Sequence, residues 1–290
     1  MKTVCTHDGR FHTDEVFAIA ILKIFYKEIK IIRTRDEKVF RKTDLRVDIG
    51  RSYNAKTGDF DHHQNEFNLM RKNKIPYASA GLIWKHFGKK LVNSEKAFNY
   101  IDEKLIQPID AIDSGVDITL KEIISNYGIG EITNSFLPVW YEEKNYDKSF
   151  KQVLGFASDL LKREIKLANG IEKAEEIVKK AISKSKNKDY IILEKNVPWR
   201  KYVIENTKIK FVVEPNSGGF WSVYTVRTKI NNFEDRKSFP KKWADLQKEK
   251  LVKVTGVEDA MFCHKDLFTA VAKSREGAIK LAELAIKNKN

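Results

Sequence analysis

Thr3-Val4-Cys5-Thr6-His7-Asp8-Gly9-Arg10-Phe11-His12-Thr13-Asp14-Glu15 opens the chain, and its reading decides the fold. The first four residues form a short buried strand, and a polar loop rich in imidazole and carboxylate follows. From Asp14 to Tyr26 the period changes. Apolar side chains at Val16, Phe17, Ile19, Ala20, Leu22, Ile24 and Phe25 take helical spacing. Lys30-Ile31-Ile32-Arg33 is the next strand and Leu45-Arg46-Val47-Asp48-Ile49-Gly50 another. Strand, helix, strand, strand predicts an α/β fold with a mostly parallel sheet and helices on both faces. In such a sheet the functional side chains gather at strand C-terminal ends. His7 follows the first strand, Arg33-Thr34-Arg35-Asp36 the second, and Asp48 closes the third, so the polar clusters share one edge.

Working outward, Asp61-His62-His63-Gln64 lies just beyond Gly58, in a loop leading to a helix that Ser79 caps and that runs through Leu82, Ile83 and Trp84 to Gly88. A helix from Ser94 to Ile112 delivers Asp110 and Asp113. Between Asp147 and Lys186 the apolar positions Phe150, Val153, Leu154, Ala157, Leu161 and Ile165 predict a long helical connector. Beyond it, Tyr190 to Leu193, Ile209 to Val213 and Trp221 to Arg227 read as strands, and Glu276 to Ile286 as a closing helix. The expected domains are residues 1–186, catalytic and including the connector, and residues 187–290, a smaller α/β substrate-binding domain.

The 290 residues, 42% hydrophobic, suffice for a sizeable core, which excludes a disordered or disulfide-stapled protein. No run approaches about 18 apolar residues, and the start is polar where a signal peptide needs an apolar stretch. The expectation is a soluble cytoplasmic protein with no membrane partner. Cys5 and Cys263, the only cysteines, both sit in apolar strand patterns and read as buried thiols. The net charge of +14, from 54 basic and 40 acidic residues, is spread over both halves and suits a polyanionic partner such as RNA. A Lys-rich, Asn-rich and Ile-rich usage that merely solvates the surface gives the same charge.

Four of the six histidines fall within residues 7 to 63. Either His7 or His12 alone reads as a surface loop histidine; together with their carboxylate neighbours they read as metal ligands. Imidazole plus carboxylate favours Mn2+, with Mg2+ or Zn2+ as alternatives. Asp14 also admits a helix-capping role. Asp48 ends an apolar strand, where an unpaired carboxylate is expensive to bury, so it needs a cation or a hydrogen-bond cage. A turn-forming aspartate before Gly50 is the plainer reading. Ser217-Gly218-Gly219-Phe220-Trp221 offers Gly218 and Gly219 as phosphate contacts, or is an ordinary hairpin turn.

Thr6-His7-x-Gly9-x-Phe11-His12-x-Asp14-Glu15, Arg33-Thr34-Arg35-Asp36, Val47-Asp48-Ile49-Gly50 and Phe60-Asp61-His62-His63-Gln64 together resemble the melanocyte-proliferating-gene (Myg) branch of the DHH phosphoesterases. The likeness continues through Ser79-Ala80-Gly81-Leu82, Asp110-Ala111-Ile112-Asp113-Ser114-Gly115, Pro198-Trp199 and Phe262-x-His264, although Leu267 and Ala270 stand where glycines would be expected. The resemblance implies a 3′ to 5′ exonuclease on RNA or short oligonucleotides, with two Mn2+ ions and the strand end held between lobes. It implies His7, His12 and Asp48 on one metal, and Asp14, Asp48, His62 and either Asp110 or Asp113 on the other, Asp113 preferred. Two such cations lower the pKa of a shared water, and the resulting hydroxide attacks phosphorus in line. His63 is the candidate proton donor. Arg35 is the candidate for neutralising charge on phosphorus, and Arg33, Arg227, Arg236 and His264 for holding the substrate. A homodimer is compatible with the sequence. The competing functions are a pyrophosphatase or nucleotide phosphatase, and a non-catalytic nucleic-acid binding protein.

Overall fold

A computed structural model of the chain describes residues 1–116 and 127–288. It is an α/β protein with two mixed sheets, and it divides into compact units at Met1–Gly170 and Ile171–Asn290. The division falls inside the long helix rather than after it. Among the described residues, no helix is long and apolar enough to cross a membrane.

In the first unit β1 (Lys2–Thr6) leads through the polar loop into α1 (Thr13–Tyr26), then β2 (Ile29–Arg33), a single turn α2 (Glu37–Phe40), β3 (Leu45–Val47), β4 (Tyr53–Asn54) and β5 (Asp59–Phe60). Helices α3 (Ser79–Phe87), α4 (Glu95–Ile101), α5 (Gln107–Asp113), α6 (Ile129–Asn134) and α7 (Tyr146–Lys184) follow. A π-helical stretch, Asp102–Ile106, joins α4 to α5, so the single helix expected from Ser94 to Ile112 is nearly continuous but locally widened.

The strand order is β2-β1-β3-β5-β4. β1 runs parallel to both β2 and β3, and β3 parallel to β5; only β4 is antiparallel, to β5. The parallel set therefore ends on one edge, where His7, Thr34, Asp48 and Asp61 follow β1, β2, β3 and β5. The core beneath holds Val4, Phe17, Ile21, Val47, Phe60 and Trp84. Helix α1 is buried almost all round, since Val16 to Leu22 are fully inaccessible. Its wide apolar stripe is what a helix pressed between a sheet and α3 requires.

The second unit has β6 (Tyr190–Ile192), α8 (Arg200–Asn206), β7 (Phe211–Pro215), β8 (Trp221–Thr225), α9 (Lys248–Thr255), β9 (Ala260–Cys263), β10 (Thr269–Ala272) and α10 (Arg275–Lys287). Its sheet order is β6-β7-β8-β10-β9, with only β6 and β7 parallel. Phe211, Phe239, Trp243 and Leu281 fill its core. Cys5 and Cys263 are buried free thiols, which burial pushes up to about 11 and about 12.

Two local expectations differ. Ser79 does not cap α3; Ala78 holds that position, and the Ser79 hydroxyl turns to Asp48 instead. Asp14 lies within the first turn of α1, because His12 takes the capping position with extended backbone.

Candidate metal centre

The loop from β1 to α1 is shaped by a glycine and a carboxylate. Gly9 adopts φ +73°, a left-handed conformation that a Cβ disfavours. The His12 N–H donates to both Glu15 carboxylate oxygens, at 2.8 and 2.9 Å, satisfying an otherwise open donor at the helix start. Arg33 fixes the outside of the loop: its guanidinium donates to the Gly9 carbonyl at 2.7 Å, pairs with Asp147 at 2.7 Å and lies 4.5 Å over the Phe150 ring. Arg33 is thus occupied in holding His7 and His12 in place.

His7 is buried, with Nε2 at 3.2 Å from Glu15 Oε1 and 3.4 Å from Asp48 Oδ2, yet without an aligned hydrogen bond. Burial works against its charge, but the Asp48 and Glu15 carboxylates outweigh it and raise the imidazole to about 10. Asp48 leaves β3 with φ 56°, a conformation unusual outside glycine and one that aspartate and asparagine tolerate better than most. Its carboxylate lies 3.2 Å from the Ser79 hydroxyl, 3.3 Å from His63 Nδ1 and 3.7 Å from His62 Nδ1. Burial opposes ionisation, yet these imidazoles hold the carboxyl far below the usual range.

Asp61 organises the turn after β5. It accepts from the backbone N–H groups of Arg51, His62 and His63 and from His63 Nδ1, all at 2.7 to 3.0 Å. That leaves the His63 ring half exposed and its pKa raised to about 10, through hydrogen bonds to Asp48 and Asp61. His62 turns the other way, with Nε2 at 3.0 Å from Asp113. Asp14 is fully buried; Oδ2 accepts from the Ser79 N–H at 3.3 Å and Oδ1 has no partner among the described residues. Burial and the carboxylates of Asp48, Asp113 and Glu15 push its carboxyl well above the ordinary value.

Three groups of side chains could each surround an ion: His7, His12, Glu15 and Asp48; Asp48, Asp61, His62 and His63; and His12, Asp14 and Asp113. Within each, one ligand atom per residue lies within 4.8 Å of the others. Asp48 is shared by the first two and His12 by the first and third. Asp14 Oδ1, buried without a partner among the described residues, together with the crowded carboxylates of Asp14, Asp48, Asp113 and Glu15, fits a divalent cation, which would offset their mutual repulsion. A cavity of about 310 Å³ opens on these groups, lined by His7, His12, Arg35, Asp48, Asp61 and His63 among others.

The other residues singled out from the sequence lie in different settings. Asp110 is absent from the three groups; it accepts from the Gly81 N–H at 2.9 Å and pairs with Arg71 at 2.8 Å. A Cβ at Gly81 would stand 1.8 Å from its carboxylate, so this contact requires glycine. Burial raises Asp110 to about 7, against the pull of Arg71. Arg35 is exposed and 3.4 Å from Asp8. In the second unit, Arg236 donates to the carbonyls of Ile209 and Ile204, and Arg227 lies 4.4 Å over Phe233. Gly218 and Gly219 form the β7–β8 turn, which Asn216 Oδ1 closes through the N–H groups of Gly218 and Phe220. The His264 ring lies 4.3 Å from that of Phe268, tilted by 46°, and accepts from the Asp266 N–H. Glu15 and Ser79 join the site without a sequence signal for metal binding. The spacing His12-x-x-Glu15 signals the capping contact, but nothing local in sequence brings Ser79 to Asp48.

The family profile for MYG1 exonucleases, described as "Uncharacterised protein family (UPF0160)", matches residues 3–286. The chain belongs to the MYG1 family. Within that family, the "MYG1 protein" of Dictyostelium discoideum is 30% identical over 97% of this chain and 95% of its own length. The "MYG1 protein C27H6.8" of Caenorhabditis elegans is 30% identical over 97% of this chain and 94% of its own. The human protein named "MYG1 exonuclease" is 27% identical over 97% and 85%. No solved structure matches.

Proposed function

We propose that this MYG1-family chain is a divalent-metal-dependent phosphodiester hydrolase of the DHH type, a 3′ to 5′ exonuclease on RNA or short oligonucleotides. The observation that carries the reading is Asp48: one buried carboxylate shared by two groups of side chains that could each surround an ion. The exonuclease names of relatives and the net charge of +14 support a nucleic-acid substrate.

His7, His12, Glu15 and Asp48 would hold one Mn2+ ion, and Asp14, Asp48, His62 and Asp113 a second. When bound, such ions activate water and neutralise phosphate charge. The chain's own part is positioning and proton control. Arg33 and Gly9 fix the loop that carries His7 and His12. Asp61 engages His63 Nδ1, leaving Nε2 to donate a proton to the leaving oxygen. Arg35, on the cavity wall, offers charge to the phosphate oxygens.

The test is incubation with Mn2+ and 5′-labelled RNA. Stepwise shortening from the 3′ end supports the reading. Phosphate release from pyrophosphate without RNA shortening would instead make the protein a small-substrate phosphohydrolase, and RNA binding without turnover a binding protein.

A further inference from the structure

A second cavity, of about 330 Å³, lies beside the charged one, within the same unit. His12 and His63 line both cavities, and Asp113, from the third ligand group, joins them in the second. Its other walls are mixed: Ile109 and Ile112 from α5 and Ile129 and Gly130 from α6 are apolar, while Thr13 from α1 and Asn134 from α6 are polar. Ile112 is 47% exposed although Ile109, one turn earlier, is buried.

Gly130 is the telling residue. It stands in the first turn of α6. Its backbone is not left-handed, and a Cβ there would meet only Thr13 Oγ1, at 4.0 Å. Neither dihedral nor packing therefore calls for glycine; what its missing side chain leaves is space on the cavity wall. One turn on, Asn134 lines the same cavity and carries an amide that can both donate and accept.

A charged cavity joined through two histidines to one that sets three isoleucines against Thr13, Asp113 and Asn134 matches the two halves of a nucleotide, an anionic phosphate and a flat nucleoside with apolar faces and polar edges. We propose that the cavity between α5 and α6 receives the nucleoside of the terminal nucleotide while its phosphate lies at the metal groups. This rests on the exonuclease reading. Ile109, Ile112 and Ile129 pack the sugar and base, Gly130 provides the room, and Asn134 meets the base edge. The cavity volume is within the range of small-ligand sites.

The experiment compares kcat/KM on two otherwise identical oligonucleotides, one ending in an ordinary 3′ nucleoside and one in a 3′ abasic residue. Wild type, Gly130→Leu and Ile112→Ala are measured, with Mn2+ affinity by calorimetry alongside. Wild type is expected to prefer the ordinary end. Gly130→Leu, which fills the space, is expected to shrink that preference at least about tenfold, the scale on which an apolar pocket discriminates, with Mn2+ affinity unchanged. Ile112→Ala should shrink it less, and its exposed position keeps the fold out of question. Equal losses on both substrates, or an undiminished preference in Gly130→Leu, would overturn the nucleoside cavity alone. A wild type that shortens neither oligonucleotide would overturn the exonuclease reading, and the cavity assignment with it.

Discussion

At the edge of the first sheet, imidazoles and carboxylates crowd together: among the described residues Asp14 Oδ1 is buried without a partner, His7 Nε2 lies 3.2 Å from Glu15 and 3.4 Å from Asp48 without an aligned hydrogen bond, and Asp14 stands near three other carboxylates. In the second unit, two residues singled out for substrate contact are engaged within the fold. Arg236 donates to two carbonyls, and the Gly218 amide is taken by Asn216. A buried polar atom without a partner costs about 1 to 3 kcal/mol, and a buried uncompensated charge more. Single atoms of this kind also occur at Glu214 and Trp243 in the second unit; at the sheet edge they coincide with crowded carboxylates, which a ligand from outside the chain can complete. The contrast separates residues waiting for a ligand from residues that serve the fold, although a sequence shows both as the same histidines, arginines and glycines.

The sharpest way to break this contrast is Asp14→Asn, which keeps the shape and removes a charge. Mn2+ affinity and RNA shortening are expected to fall about a thousand-fold, roughly 4 kcal/mol, while the thermal midpoint of the metal-free protein rises as carboxylate repulsion is relieved. An unchanged rate would place Asp14 among the structural residues. Next comes Arg33→Ala, which frees the Gly9 carbonyl and loosens the ligand loop. A loss of about a hundred-fold in kcat is the scale expected from slight misplacement of reacting groups, with Arg33→Lys recovering part of it.

Arg236→Ala should behave oppositely, lowering unfolding free energy by about 1 to 3 kcal/mol through two orphaned carbonyls and leaving KM for RNA unchanged. A raised KM would mean that Arg236 reaches the substrate. The smallest effect is on pH dependence. His7 has a folded value of about 10 against an ordinary 6.5, so its stabilisation is fully present below about 6.5 and lost as pH rises through 10. The midpoint of the metal-free protein should therefore decline across that window. Saturating Mn2+ should remove the decline, because a ligating imidazole is already neutral. Parallel slopes with and without metal would count against His7 as a ligand.

Much of the first unit was legible because its pattern is local. The period change at Asp14 marks β1 and α1, and the strand ends put His7 and Asp48 on one edge. Ser79 reads as a cap in sequence because its partner, Asp48, lies 31 residues away and hydroxyls suit both roles. The choice between Asp110 and Asp113, three residues apart on one helix, depended on Arg71 and Gly81, which pair with Asp110 only after folding. Arg33 at a strand end looked like an anion binder; Asp147 and Phe150, more than a hundred residues on, engage it instead. Long-range pairing of this kind leaves no periodic trace.

The most direct measurement is calorimetric titration of Mn2+ into chelator-stripped protein, in two buffers of different ionisation enthalpy, for wild type and Asp48→Asn. Asparagine tolerates φ 56°, so the variant keeps its backbone. The account predicts two ions per wild-type chain with release of protons, and loss of tight uptake in the variant. A wild type that binds no Mn2+, or an Asp48→Asn variant that binds it with the same stoichiometry and affinity, would contradict a metal centre built around Asp48.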